Sequence, residues 1–328
     1  MKKMIAIFCA LTMILALAAC GSSAPAATQA PAENLAPAFN VGICQLVQHP
    51  ALDAATQGFM DALVQELGEG AVSFNSQNAS GDSATCSTIC NQFVSDEVDL
   101  IMANATPALL AAQAATNSIP ILGTSVTDYA SALGIDNWNG ATGTNISGTS
   151  DGVPATELAA VLNELFPDAK TVGLLYCSGE PNSKFQADEM RPVLEGMGYS
   201  VSEFTFADSN DVAAVTNNAC DDCEVLYIPT DNTAASNTEL INSVALEKKV
   251  PIVTGEECLC SGCGVATLSI SYYDLGTVTG KMAAQILRDG EDVSAMEIEY
   301  APFAKKYNAT NCELLGVQVP EGYVAIEG

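Results

Sequence analysis

Two polar loops carry side chains suited to holding a small charged molecule. In the first, Asn104-Ala105-Thr106-Pro107, an apolar run meets a helical stretch; Asn or Thr can cap that helix, and Pro107 suits its first turn. Free backbone N–H groups at a helix start favour an anion such as a ligand carboxylate. These residues also cap helices well without any ligand, so both interpretations stay open.

The second loop adds a negative charge to the first. Asp231 stands between Thr230 and Asn232, after another apolar run. Its carboxylate could meet an ammonium group while the first loop holds a carboxylate. That combination predicts a zwitterionic ligand, and plain helix capping is again the alternative.

The only histidine, His49, precedes a helical stretch and could hydrogen-bond to a ligand or stack on it, whereas a structural role is the other interpretation. Tyr176 could stack on an aromatic ligand or pack at the rim of a cleft. Together with these, the polar side chains at the ends of apolar runs are candidate ligand contacts: Gln45, Thr124, Ser125 and Glu256.

Cysteine is unusually frequent after residue 20, with ten in all: Cys44, Cys86, Cys90, Cys177, Cys220, Cys223, Cys258, Cys260, Cys263 and Cys312. Close thiols in an exported protein can pair as disulfides. Zinc sites show paired spacings with defined partners, and no such four-ligand set is evident. Buried free thiols, disulfides and metal ligation all stay open, and we expect no cofactor and no catalytic residue.

The N-terminus is typical of an export signal. Two lysines precede the apolar run 4–19, which ends at Leu17-Ala18-Ala19-Cys20, a match to the bacterial lipobox. We therefore predict a signal peptide over 1–20, lipidation of Cys20 and a flexible tether over 21–38. A retained membrane helix is disfavoured because the run is short. The protein is expected at the outer face of the cell membrane, held by lipid.

The charge is strongly acidic, with 39 Asp and Glu against 11 Lys and Arg. Such a surface repels phosphate backbones, which argues against a nucleic-acid partner. The acidity alone does not indicate a cationic ligand.

The remaining chain alternates apolar runs with helical stretches, and the layout occurs twice. The offsets from Val41 to Val172 and from Pro120 to Pro251 are both 131 residues. This pattern predicts an α/β fold of two similar Rossmann-like lobes with parallel sheets and several crossings. Ligands bind beyond the carboxyl ends of such strands, so the lobes should close about a hinge on a shared cleft.

We assign 39–146 and about 270–300 to an N-terminal lobe, 147–269 to a C-terminal lobe, and 301–328 to a last crossing and tail. A late strand over 265–271 and a helix over 273–288 are expected to return together to the first lobe.

Six segments spread over about 41–320 carry a likeness to a known family: Gln45-Leu46-Val47-Gln48-His49-Pro50-Ala51-Leu52-Asp53, Gly148-Thr149-Ser150-Asp151, Pro229-Thr230-Asp231-Asn232-Thr233, Tyr272-Tyr273-Asp274-Leu275-Gly276, Gly280-Lys281-Met282-Ala283-Ala284 and Leu315-Gly316-Val317-Gln318-Val319-Pro320. In these segments the chain resembles the ABC-transporter substrate-binding lipoproteins whose characterised relatives take up aromatic amino acids. The resemblance implies a type I periplasmic-binding fold, a ligand contact at Asp151, and permease and ATPase partners.

The expected function is therefore that of the solute-binding component of an importer, with an apolar or aromatic amino acid as ligand. A sugar or nucleoside receptor of the same fold and a thiol-based metal-binding surface lipoprotein are the alternatives. An enzyme is disfavoured because no Ser–His–Asp order, P-loop, dinucleotide turn or paired-histidine motif is present.

Overall fold

The structure is a computed structural model that describes residues 38–326. Its first lobe is built on five parallel strands with four helices between them, as the alternating pattern predicts. The strands are β1 Phe39–Gln45, β2 Val72–Asn78, β3 Leu100–Asn104, β4 Ile121–Val126 and β5 Ile146–Ser150. The helices are α1 Pro50–Leu67, α2 Ser83–Ser95, α3 Thr106–Ala115 and α4 Tyr129–Leu133.

The second lobe repeats this layout with a further five parallel strands and six helices. The strands are β6 Thr171–Cys177, β7 Ser200–Phe206, β8 Val225–Ile228, β9 Ile252–Thr254 and β10 Ala266–Ser269. The helices are α5 Ala155–Leu165, α6 Pro181–Gly196, α7 Val212–Asp222, α8 Asn232–Ala235, α9 Thr238–Lys248 and α10 Glu257–Cys263.

The last part of the chain contributes secondary-structure elements to both lobes. It comprises helix α11 Tyr272–Ala284 with a π-helical turn Gln285–Asp289, a 3-10 turn Val293–Ala295, strands β11 Glu299–Tyr300 and β12 Ala304–Tyr307, helix α12 Ala309–Leu315 and strand β13 Val324–Ala325. The first sheet has the order β11-β5-β4-β3-β1-β2, and the second β13-β12-β10-β9-β8-β6-β7. Only the β10–β12 pair is antiparallel among the described strands. The predicted α/β architecture of two parallel-sheet lobes is confirmed.

Three crossings join the lobes, after β5, after β10 and between β11 and β12. The prediction that the late strand returns to the first lobe together with the helix after it was wrong. That strand, β10, hydrogen-bonds to β9 and β12 in the second sheet, and only α11 returns, to pack along α1.

Glycines let α1 and α11 approach to backbone contact. A Cβ added to Gly276 would lie 2.0 Å from the carbonyl oxygen of Ala55, and one added to Gly58 would lie 2.1 Å from that of Tyr273. Both helices begin beside the interlobe cleft, at Pro50 and Tyr272. Their close packing therefore fixes the positions of two helix starts that contribute to the site.

The predicted signal peptide, the lipidation site Cys20 and nearly all of the predicted tether lie outside the described residues. Within residues 38–326, no helix is long and apolar enough to cross a membrane.

Candidate functional site

A cavity of about 280 Å³ lies where the carboxyl ends of the two sheets face each other. Residues of both lobes and the start of α11 form its wall: His49, Leu52, Ser125, Thr127, Asp151, Asn182, Thr230, Asp231, Asn232, Ala235, Glu256 and Tyr272. Seven of the sequence-predicted ligand contacts are thus brought together here.

Four buried polar atoms around this cavity have no hydrogen-bond partner: His49 Nδ1, Ser125 Oγ, Asp151 Oδ1 and Asn182 Oδ1. Burying an unpaired polar group costs free energy, so native proteins satisfy nearly all of them. Four such atoms around one cavity therefore indicate groups that serve a bound molecule.

The orientation of His49 follows from a chain of hydrogen bonds. Glu180 accepts from Nδ2 of Asn232 at 2.6 Å, so the amide oxygen of Asn232 faces the imidazole, 3.2 Å from His49 Nε2. An amide oxygen only accepts, so Nε2 must carry the hydrogen and Nδ1 is an acceptor. Burial lowers the pKa of His49, which favours this neutral form.

Among the carboxylates of the cavity wall, Asp151 has one oxygen without a hydrogen-bond partner. Its Oδ2 accepts from the hydroxyl of Tyr272 at 2.8 Å, whereas its Oδ1 is buried without a partner. Burial raises the pKa of Asp151, and no lysine or arginine lines the cavity to compensate its charge. A cationic ligand group beside Oδ1 would supply both the missing hydrogen bond and the missing charge.

The other two carboxylates of the wall are already engaged as helix caps. Asp231 accepts from the backbone N–H of Ala234 through Oδ1 and from that of Cys177 through Oδ2, both at 2.7 Å. Glu256 accepts from the first N–H groups of α10. Burial raises the pKa of Asp231 to about 8 and that of Glu256 to about 7. The contact of Asp231 with a ligand ammonium stays a prediction, but both of its carboxylate oxygens already accept hydrogen bonds from the backbone.

Polar residues behind the cavity brace its wall. Gln45 donates to Asp53 and to the carbonyl of Val47, and Asn104 donates to the carbonyl of Leu52. Thr124 shares a buried hydroxyl contact with Thr149. Gln45, Asn104 and Thr124 therefore do not line the central cavity. They support its wall from behind, as Asn104 does through Leu52.

Three further predicted contacts have other surroundings. Tyr176 has its ring in the core of the second lobe and donates its hydroxyl to Glu203. Thr106 lines a small adjoining pocket beside Asn182 and has an unpartnered hydroxyl. Ala105 is buried at the start of α3 with a φ of 87°, a strained backbone of the kind concentrated at functional sites.

Sequence reasoning missed Asn182, Glu180 and Tyr272. The 131-residue offset contained a signal for the first two, since it relates His49-Pro50 of lobe one to Glu180-Pro181 of lobe two. Tyr272 opens a motif that carried the family resemblance, but it lies far along the chain from the other wall residues. Its approach to Asp151 depends on the return of α11 to the first lobe.

A second, larger cavity of about 680 Å³ adjoins the first at Thr127. Its lining includes the aromatic residues Phe185, Tyr227 and Tyr300 and the apolar segment 153–155 at the first crossing. A polar chamber and a chamber of mixed lining, in which the carboxylates Asp128 and Glu189 accompany the aromatic residues, thus lie side by side in the cleft.

The chain matches the family model described as "ABC transporter substrate binding protein" over residues 40–326. It is 36% identical over 261 residues to a "Tyrosine-binding protein" of Clostridioides difficile, covering 79% of this chain and 75% of that one. A Streptococcus pneumonia ABC domain solved with L-Trp matches with a TM-score of 0.83 at 29% identity, covering 88% of this chain and 99% of that one.

A third relative bears on conformation. The ligand-free, open form of a substrate-binding protein with adhesive properties from Clostridium difficile is 36% identical, over 88% of this chain and 99% of that one, but its TM-score is only 0.67. The Streptococcus pneumonia protein solved with L-Trp is less similar in sequence, yet its structure superposes better on the present one. Together with the His49–Asn232 contact between lobes, this indicates that the present structure is the closed form.

Proposed function

The chain belongs to the ABC transporter substrate-binding proteins, and from that premise we propose that it closes on an amino acid with an aromatic or apolar side chain. The observation that carries this proposal is the pair of buried, unpartnered acceptors His49 Nδ1 and Asp151 Oδ1 in a cavity that no lysine or arginine lines. Such a pair suits the N–H groups of an ammonium. Relatives whose names refer to tyrosine and L-Trp support the ligand class.

In this arrangement the ammonium lies beside Asp151 and the carboxylate takes hydrogen bonds from hydroxyls. The unpartnered hydroxyls of Ser125 and Thr106 are the donors on the first-lobe side. The side chain of the ligand extends past Thr127 into the larger cavity, where Phe185 and Tyr227 offer aromatic surface.

Calorimetry with trimmed ligands tests this proposal. We expect binding of L-tyrosine, L-tryptophan or L-phenylalanine, and a loss of at least tenfold for the analogue 3-(4-hydroxyphenyl)propionate, which lacks the ammonium, relative to tyrosine. myo-Inositol and glucose serve as neutral controls. Binding of a sugar but of no amino acid, or equal affinity for tyrosine and its deaminated analogue, would contradict the proposal.

As a family member the protein is extracytoplasmic and serves solute binding, a role that does not require catalysis. We propose further that Cys20 carries the lipid that holds it at the membrane, and that a permease with its ATPase receives the ligand. Support for the anchor comes from the lipobox alone. Cell fractionation of Cys20→Ala tests it: the variant should leave the membrane fraction, and unchanged retention would refute lipidation as the anchor.

A further inference from the structure

Three buried cysteines lie on facing elements of the first lobe. Side chains alternate across β1, so Cys44 and the site of Gly42 share one face, while Val41 and Ile43 pack on the other. On α2, Cys86 and Cys90 are one turn apart and lie on the same side of the helix. All three thiols belong to one core cluster and are fully buried.

The packing of α2 on β1 sets the register of these thiols. A Cβ added to Gly42 would lie 2.6 Å from the ring of Phe93, so the helix lies directly on the strand at that point. In a parallel sheet the connecting helix runs opposite to the strands. Cys44 lies about 6.6 Å along β1 from Gly42, whereas Cys90 and Cys86 lie about 4.5 and 10.5 Å back along α2 from Phe93. Cys44 therefore faces the space between them.

The directions of the thiol pKa shifts agree with this register. The neighbouring thiols of Cys86 and Cys90, together with burial, raise the pKa of Cys44, whereas the neighbouring thiol of Cys44 lowers the pKa of Cys86. Cys86 is also in the first turns of α2, where the helix dipole favours a thiolate.

We propose that Cys44 forms a disulfide with either Cys86 or Cys90. This disulfide would link α2 covalently to β1. Among the other thiols of residues 38–326, Cys220 is in α7 and Cys223 is the residue that ends this helix, whereas Cys263 and Cys312 donate to backbone carbonyls. The described residues also contain no group of three or more His, Cys, Asp or Glu side chains arranged to hold a metal ion.

The oxidant is a disulfide of the extracytoplasmic medium, either a small-molecule disulfide or an oxidised dithiol protein. While α2 is not packed on β1, as during folding, the thiolate of Cys86 attacks one sulfur of that disulfide and releases one thiolate, which leaves a mixed disulfide on Cys86. Cys44 then loses its proton and attacks the sulfur of Cys86, which releases the second thiolate. The protein loses two electrons and two protons, and the oxidant is reduced to two thiols.

Alkylation after oxidation tests the proposal on the full-length chain. The protein is incubated folded, and separately refolded from denaturant, with oxidised glutathione; it is then unfolded, alkylated and mapped by mass spectrometry. We expect two fewer alkylated cysteines than in the reduced protein, with Cys44 in every cross-linked peptide. The melting temperature of the oxidised form should rise by roughly 5–10 °C.

Single variants separate the two partners. Cys86→Ala and Cys90→Ala should each retain one disulfide to Cys44, whereas Cys44→Ala should lose it and Cys312→Ala, the control, should keep it. The proposal is overturned if no thiols are lost under either condition, if Cys44→Ala retains the cross-link, or if the mapped pair lies elsewhere. Calorimetry with amino acids is independent of these outcomes, because the cross-link lies within one lobe.

Discussion

At the residue scale, the three carboxylates of the central cavity differ in what their oxygens already bind. Asp231 accepts from the N–H of Ala234 in α8 and from the N–H of Cys177 at the end of β6, and Glu256 accepts from two N–H groups at the start of α10. In Asp151, Oδ2 accepts from the hydroxyl of Tyr272 and Oδ1 is buried without a partner. Because a capping carboxylate cannot leave its helix without cost, the free oxygen of Asp151 is the group available to a ligand.

This difference predicts opposite effects for two isosteric variants. Asp151→Asn should weaken binding of the amino acid by about 1.5–3 kcal/mol, a roughly ten- to hundredfold loss, because a charged hydrogen bond to the ammonium is removed. The melting temperature of the empty protein should change little or rise, since an uncompensated buried charge is lost. Calorimetry and thermal unfolding on the same samples provide the two measurements, and full affinity in Asp151→Asn would contradict the assignment.

Asp231→Asn is predicted to act mainly through stability. The substitution replaces one acceptor oxygen with an NH₂ group, which faces the backbone N–H of either Cys177 or Ala234. Losing a buried capping bond should lower the free energy of unfolding by about 1–2 kcal/mol. Chemical denaturation measures this change, and a variant as stable as the parent but unable to bind amino acids would restore Asp231 as the ammonium contact.

At the scale of elements, local sequence patterns located most strands and helices because each lobe repeats the same strand–helix order. The 131-residue offset held because the two lobes share their topology, from Val41 in β1 to Val172 in β6. The same local patterns could not assign β10, because an apolar run does not specify which sheet it joins. Nor could they locate Tyr272 beside Asp151, a contact between residues 121 positions apart.

The packing of α1 against α11 leads to a prediction about Gly276. In Gly276→Ala the new methyl group would meet the backbone of Ala55, so the helices must separate. Such overpacking costs roughly 1–3 kcal/mol, partly offset by the better helix propensity of alanine, about 1 kcal/mol. We expect a net loss of about 1 kcal/mol, and of no more than about 2 kcal/mol, in urea unfolding.

Gly196→Ala is the matched control, because no atom lies within 4 Å of a Cβ at the end of α6. Its stability should stay the same or rise by up to about 1 kcal/mol. Equal stability of the two variants would show that α1 and α11 can separate without cost.

At the scale of the whole molecule, closure buries negative charge without burying positive charge. Asp151, Glu180, Asp231 and Glu256 face the region between the lobes. Tyr272, the neutral His49, Cys177 and Asp208 also line this region. A closed and empty protein must therefore bind protons to neutralise part of this charge. When a ligand is bound, its ammonium group neutralises part of the charge instead, and no proton needs to bind.

This linkage predicts that closure of the empty protein depends on pH. Burial raises the pKa of Asp231 to about 8 and that of Glu256 to about 7 in the closed form. When the lobes part, water reaches these groups and their pKa values fall toward the ordinary range near 4. The closed form then binds more protons than the open one, so its advantage is complete below about pH 4 and is lost as pH rises through 7 to 8.

X-ray scattering on the ligand-free protein at about pH 5 and about pH 9 measures this shift in closure. The particle should be more compact at the acidic pH. With saturating amino acid it should be compact at both values, because the ammonium then compensates the carboxylates. The double variant Asp231→Asn/Glu256→Gln, in which neither side chain can ionise, should lose most of the pH dependence while empty. A ligand-free radius of gyration that is the same at both pH values would show that these carboxylates do not oppose closure, and that the lobes are held apart by other means.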